Sequence, residues 1–82
     1  MQMIYNSPNY CVFEFRDEAE PARGGYEIMD KAAGREIFID GVLATQFRQN
    51  VAELIANQPS VEQIDAFLGR FDGLMQQPLT LH

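Results

Sequence analysis

The side chains that most often carry chemistry are few in this sequence and lie far apart. The one histidine, His82, stands at the end of the sequence, and the one cysteine, Cys11, lies among aromatic and β-branched residues. General acid–base catalysis requires a titratable group held beside the reacting atoms, and chain ends are usually mobile. Zinc sites take several Cys or His ligands, which one residue of each kind does not supply. We therefore predict no catalytic residue, no cofactor and no metal site.

Three further features suggest binding or reactivity but have simpler explanations. The acidic stretch from Asp17 to Glu20 lacks the spacing and the glycine of a calcium loop, so it predicts a solvated turn. Gly24 and Gly25 begin a predicted strand, whereas phosphate-binding glycine loops lead into a helix N-terminus. Cys11 alternates toward the predicted core, which favours a buried and unreactive thiol. We therefore predict that the protein is not an enzyme.

The composition bounds the class of protein. The chain has 82 residues, 46% of them hydrophobic, so residues 1–82 are expected to form one small domain. The sequence lacks an apolar run of the ~20 residues that a membrane helix needs, and its start lacks the pattern of a signal peptide. A net charge of −6 disfavours nucleic acid, because phosphate binding depends on clustered Lys and Arg. With a single cysteine, we predict a cytoplasmic protein that binds neither membrane nor nucleic acid.

Four strands are predicted in the first half of the chain. The segments are rich in aromatic and β-branched residues, and turn-forming residues separate them. They are Met1–Tyr5, Tyr10–Arg16, Gly24–Lys31 and Glu36–Asp40.

Two helices are predicted in the second half. Apolar residues recur every four positions from Leu43 to Ile55, which is typical of one helix face. Ser60 and Gln63 have the spacing of a capping box, and the apolar stripe of a second helix runs from there to Met75. The order ββββαα predicts an α+β fold, with an antiparallel four-stranded sheet covered on one face by two C-terminal helices.

The predicted register leaves apolar residues on both faces of this sheet. Tight turns would pair Tyr5 with Tyr10 in the first hairpin and Ile28 with Ile39 in the last. The face toward the helices would then carry Ile4, Cys11, Phe13, Phe15, Tyr26, Ile28, Ile37 and Ile39. The open face would carry the candidate interface residues Met3, Tyr5, Tyr10, Val12, Met29 and Phe38. Aromatic and Met enrichment is typical of an interface centre, so this face predicts a homodimer contact.

The end of the sequence is also apolar. Leu79, Thr80 and Leu81 alternate apolar and polar after Pro78. Because a sheet has edges that accept another strand, we expect these residues to dock on the sheet of the same chain or of a dimer partner.

Three segments together resemble a known family. They are Arg23–Ile28, Arg35–Gly41 and Leu74–His82. They resemble short, functionally uncharacterised proteobacterial proteins of about this length, known only as a domain of unknown function. The resemblance spans nearly the whole chain, except the loop from Asp17 to Ala22. It implies a bacterial cytoplasmic protein and carries over no catalytic residue.

Two functions from different classes remain open. The first is a small non-enzymatic interaction module that self-associates through the open sheet face, with a further, unidentified protein partner also allowed. The second is a small-ligand or regulatory binding domain that uses the same face as a pocket. The mass in solution distinguishes them, since a dimer hides this face and a ligand binder remains a monomer.

Overall fold

The computed structural model describes residues 1–20, 23–75 and 77–78, and it contains one antiparallel sheet and two helices. The strands are β1 (Gln2–Asn6), β2 (Tyr10–Phe15), β3 (Gly25–Asp30), β4 (Arg35–Asp40) and β5 (Gln77–Pro78), and they lie side by side in chain order. The helices are α1 (Gly41–Ala56) and α2 (Val61–Leu68), and a 3₁₀ segment (Gly69–Leu74) continues α2. The predicted α+β class and ββββαα order are confirmed.

The turn between β3 and β4 sets a register two residues from the predicted one. Asp30 pairs with Arg35, which places Ile28 opposite Ile37 and not opposite Ile39. The Asp30 carboxylate accepts a hydrogen bond from the Ala33 N–H at 3.0 Å, so the loop closes one residue earlier than expected. Gly34 has φ +68°, which suits the end of this loop. A two-residue shift preserves the alternation of faces, so the side-chain directions predicted for these two strands are correct.

A bulge at Ile4 changes the direction of the side chains along β1. Met3 lies opposite Phe13, whereas Tyr5 lies opposite Val12, so Ile4 is an extra residue on β1. The predicted pairing of Tyr5 with Tyr10 is therefore wrong. Because the bulge interrupts the alternation, both Ile4 and Tyr5 lie on the helix side of the sheet.

The two faces of strand β2 are reversed relative to the prediction. Val12 pairs with Ile28 and lies in the core, whereas Cys11 pairs with Met29 on the other face. The core beneath the helices comprises Tyr10, Val12, Tyr26, Ile28, Ile39, Ala44, Phe47, Leu68 and Met75. Cys11, Phe13 and Phe15 were expected there and instead lie on the open face. Apolar residues occupy almost every position of β2, so alternation alone does not identify its buried side.

The helices begin where the sequence indicates, but the second is shorter than predicted. Asp40 occupies the N-cap position of α1 without a side-chain cap bond. At α2, Ser60 accepts the Gln63 N–H at 3.2 Å and the Gln63 side chain accepts the Ser60 N–H at 2.8 Å, which confirms the capping box. The predicted continuous helix to Met75 is wrong, because the chain tightens into the 3₁₀ segment at Gly69.

The sheet ends in two different edges. Strand β5 pairs with β4 through Gln77 and Pro78, and β1 forms the opposite edge. Leu79, Thr80 and Leu81, for which docking is predicted, lie outside the described residues. Within the described ranges, neither helix has the length and hydropathy required to cross a membrane.

Candidate interaction surface

The six candidate interface residues do not share a face. Tyr5, Tyr10 and Val12 pack on the helix side, where Tyr10 and Val12 belong to the buried core. The other three, Met3, Met29 and Phe38, lie on the open face. The predicted single patch is therefore wrong, because β2 is turned over and β1 is bulged. Whether any of these residues contacts a partner stays a prediction.

An apolar groove lies on the helix side of the β1 edge. It runs between β1, the C-terminal half of α1, and α2, and it encloses about 140 Å³. We call it the edge groove; its lining comprises Ile4, Tyr5, Val12, Phe47, Val51, Leu54, Ile55, Ile64, Phe67 and Leu68. The helix residues come from apolar stripes with spacings of three and four, which point toward the sheet from both helices.

The edge groove has a buried floor and an exposed rim. Phe47 and Leu68 are buried in the core, and the Phe47 ring contacts the Phe67 ring at a centroid distance of 5.8 Å. On the rim, Ile55 is 59% exposed and Ile4 is 43% exposed. A contiguous apolar surface of this kind is typical of a contact site.

Asp65 connects α2 to the first hairpin through three hydrogen bonds. Its Oδ1 accepts hydrogen bonds from the Tyr5 and Ser7 hydroxyls, both at 2.9 Å, and its Oδ2 accepts one from the Asn9 amide at 3.3 Å. Burial, together with the Asp65 hydrogen bond, raises the pKa of Tyr5. The polar group that Tyr5 brings to the groove lining is therefore already bonded within the chain, and the surface offered to a partner is apolar.

A second carboxylate cluster joins the 3₁₀ segment to the sheet. The Tyr10 hydroxyl lies 3.1 Å from each carboxylate oxygen of Asp72. Burial, followed by this hydrogen bond, raises the pKa of Tyr10 to about 12. Burial raises the pKa of Asp72; the Tyr10 hydrogen bond opposes this rise, and the neighbouring Asp30 carboxyl adds to it. The hydrogen bonds from the Tyr10 hydroxyl thus connect the 3₁₀ segment to β2.

A cleft at the other end of the sheet carries charges of both signs. Arg48 donates from Nε to the Tyr26 hydroxyl at 2.8 Å, and that hydroxyl donates to Glu14 at 3.2 Å. Arg16 forms an ion pair with Glu14 at 2.9 Å. The cleft encloses about 410 Å³ and also contains Phe15, Asp17, Glu18 and Gly24. Its mixed charges create no strong field for an anion or a cation, so it is a weaker candidate than the edge groove.

The open face contains an aromatic contact and a buried thiol. Phe38, which is 49% exposed, lies over Gly25 and meets the Phe15 ring edge-on at 5.5 Å. Cys11 is free and buried, and burial raises the pKa of its thiol. Cys11 is therefore buried as predicted, although on the face opposite the helices. The part of the chain that the structure describes contains no group of three or more His, Cys, Asp and Glu side chains that fits a metal ion.

Comparison with known proteins identifies the family. The sequence matches the family described as "Protein of unknown function (DUF3567)" over residues 1–82. It is also 59% identical, over the full length of both chains, to "Protein BTH_I0359" of Burkholderia thailandensis. The chain belongs to this family. The resemblance to short proteobacterial proteins of unknown function is thereby confirmed, and no solved structure gives a significant match.

The helix residues that line the edge groove are predicted to face the core, whereas Tyr5 and Val12 are predicted on the open face of the sheet. Val51, Ile55, Ile64 and Phe67 all lie on the apolar helix stripes. Asp65 and its hydroxyl partners were not anticipated, since the hydrogen bonds join residues 56 to 60 positions apart.

Proposed function

We propose that this protein is a small non-enzymatic interaction module that self-associates as a homodimer, with the edge groove as its contact surface. The main support for the proposal is the apolar lining of the edge groove. Its lining is apolar apart from one tyrosine hydroxyl that is bonded within the chain. Covering such a surface with another apolar surface is favourable, by roughly 25 cal/mol for each Å² of apolar area removed from water.

A small apolar ligand in the same groove is the second candidate function. The floor of Phe47, Phe67 and Leu68 offers the apolar contacts that such a ligand requires. However, about 140 Å³ is less than the roughly 300 Å³ at the lower end of ligand pockets. The ligand would be no larger than a single ring or a short alkyl chain, so we rank this function second.

Cytoplasmic location and the absence of nucleic-acid binding belong to the same proposal. The net charge of −6 opposes contact with phosphate backbones. The free thiol of Cys11 is compatible with a reducing compartment.

A pair of matched variants tests the proposal. Ile55→Glu places a charge on the rim of the edge groove and should raise the Kd of the dimer by at least about 30-fold, the effect of losing a hot-spot residue. Val42→Glu is the control, because Val42 lies on the same helix, is 74% exposed and does not line the groove. Sedimentation velocity over a dilution series measures both constants.

The control separates a specific contact from a general effect of charge. Each variant adds one negative charge to α1, so the Kd should rise for Ile55→Glu and stay near the wild-type value for Val42→Glu. Equal weakening by both variants would contradict the assignment of the contact to the edge groove. Circular dichroism of both variants should match that of the wild type.

A further inference from the structure

The cleft that contains Arg16, Arg48 and Phe15 is separate from the edge groove and large enough for a small molecule. We call it the charged cleft. Its volume of about 410 Å³ lies within the range of roughly 300 to 1,000 Å³ that ligand pockets occupy. The charged cleft and the edge groove share no lining residue. A ligand in the charged cleft therefore leaves the edge groove uncovered.

A single carboxylate orients both arginines of the charged cleft. Glu14, whose side chain is 13% exposed, accepts a hydrogen bond from Arg16 Nε at 2.9 Å on one oxygen. Its other oxygen accepts a hydrogen bond from the Tyr26 hydroxyl at 3.2 Å, and that hydroxyl accepts one from Arg48 Nε at 2.8 Å. Tyr26 is buried, and its ring centroid lies 5.6 Å from Arg48 Cζ. Both guanidinium groups are therefore connected to the sheet through Nε.

These bonds leave the outer ends of both guanidinium groups open to a ligand. A guanidinium has five N–H donors, and Arg16 and Arg48 each use the donor on Nε. Among the described residues, no hydrogen-bond acceptor is bound at the Nη atoms of either arginine. The two Nη groups form a fork that binds a carboxylate through two parallel hydrogen bonds. Because the bond at Nε restricts the orientation of the fork, less conformational freedom is lost when a ligand binds.

Carboxylates line the same cleft. Asp17 accepts the Ala19 and Glu20 N–H groups on Oδ1, at 3.0 and 3.1 Å, which holds the loop after β2. Asp17 Oδ2 and the Glu18 carboxylate accept no hydrogen bond from the described residues. A ligand with one charge meets a like charge in this cleft. A ligand that carries both a carboxylate and an ammonium group finds an opposite charge for each.

We propose that the charged cleft binds a small zwitterion. The carboxylate of the ligand lies on the Nη fork of Arg48, and its ammonium group lies among the carboxylates of Asp17 and Glu18. Arg16 supplies a second fork, and the Phe15 ring contacts the carbon chain between the two charges. This inference goes beyond the proposed function and does not depend on it, because the ligand and the dimer contact use different residues.

Titrations followed in the amide NMR spectrum of ¹⁵N-labelled protein test the class of ligand. The probes are glycine, β-alanine and γ-aminobutyrate, each compared with the carboxylate and the amine that keep only one of its charges. At least one zwitterion should shift the Gly24 and Arg48 amide signals with a Kd of about 1 mM or lower, and bind about tenfold more tightly than its two single-charge analogues. Equal binding by a single-charge analogue, or no binding by any of the three zwitterions, would overturn the proposal.

A pair of matched variants tests the role of the Arg48 fork. Arg48→Lys keeps the positive charge but removes the fork, so it should raise the Kd of the best zwitterion by about tenfold. Arg70→Lys is the control, because Arg70 lies over the Phe67 ring and does not line the charged cleft. Its Kd should match that of the wild type. An unchanged Kd in Arg48→Lys, in a variant whose amide spectrum shows the wild-type fold, would contradict the assigned contact.

Discussion

At the scale of single residues, the polar side chains serve to join elements. Asp65 connects α2 to the first hairpin, and Asp72 connects the 3₁₀ segment to Tyr10 on β2. Asp65 accepts hydrogen bonds from two hydroxyl groups and one amide of the first hairpin, and Asp72 accepts from the Tyr10 hydroxyl. The hydrogen bonds therefore satisfy the carboxylates at the boundary of the core, where a bare charge would be costly.

The Asp72 cluster makes stability depend on pH. The pKa of Asp72 is raised by burial and by the nearby Asp30 carboxyl, so the folded protein binds more protons than the unfolded chain just above the ordinary aspartate pKa of 3.8. The stabilisation that comes from this raised pKa of Asp72 is fully present at pH values below the ordinary aspartate pKa. It is lost as the pH rises through the pKa of Asp72 in the folded protein. Asp72→Asn keeps an acceptor for Tyr10 and removes the titration. At pH 7 the unfolding free energy of the variant should be higher than that of the wild type, because the charge that burial disfavours is removed.

Urea unfolding at pH 4 and at pH 7 measures this effect. The advantage of Asp72→Asn over the wild type should be larger at pH 7 than at pH 4. Glu53→Gln, which removes an exposed carboxyl from α1, is the control and should show little change at either pH. An Asp72→Asn variant less stable than the wild type at pH 7 would show that the charged form of Asp72 is favourable in the fold.

At the scale of elements, the four longer strands and the starts of both helices were predictable, but the end of α2 and the faces of β1 and β2 were not. The helix periodicities and the Ser60 capping box are local signals, and they correctly located the starts of α1 and α2. The buried side of β2 is decided by its pairing with β3, across which Val12 meets Ile28. The sequence of β2 alone does not show which of its sides is buried, because nearly every residue of β2 is apolar. The bulge at Ile4 is likewise a property of the hairpin and not of the β1 residues alone.

The capping box of α2 is expected to be important because the helix has only eight residues. Ser60→Ala removes the acceptor for the Gln63 N–H and should lower the unfolding free energy by about 1 kcal/mol. Ser60→Asp restores an acceptor and adds a negative charge at the positive helix end, so it should equal or slightly exceed the wild type. Denaturant midpoints compare the three proteins. An unchanged midpoint in the alanine variant would mean that the cap does not stabilise α2.

At the scale of the whole molecule, the sheet and helices leave one edge incompletely covered. Helix α1 packs on β3 and β4, and α2 with the 3₁₀ segment returns the chain toward β4 and β5. Between the helices and β1, the edge groove remains exposed. The location of this surface followed from the β1 bulge and the helix packing, which is why it was not predictable from the pattern of apolar residues. A second copy that covers it would complete the core of a chain with only 82 residues.

The molecular mass in solution tests the central claim most directly. Sedimentation equilibrium of the wild-type protein, over concentrations from low to high micromolar, yields the mass without a shape assumption. Self-association predicts a mass that rises with concentration toward twice the monomer value of 9.3 kDa and then levels off. A mass that stays at the monomer value up to high micromolar concentration would contradict the proposed homodimer.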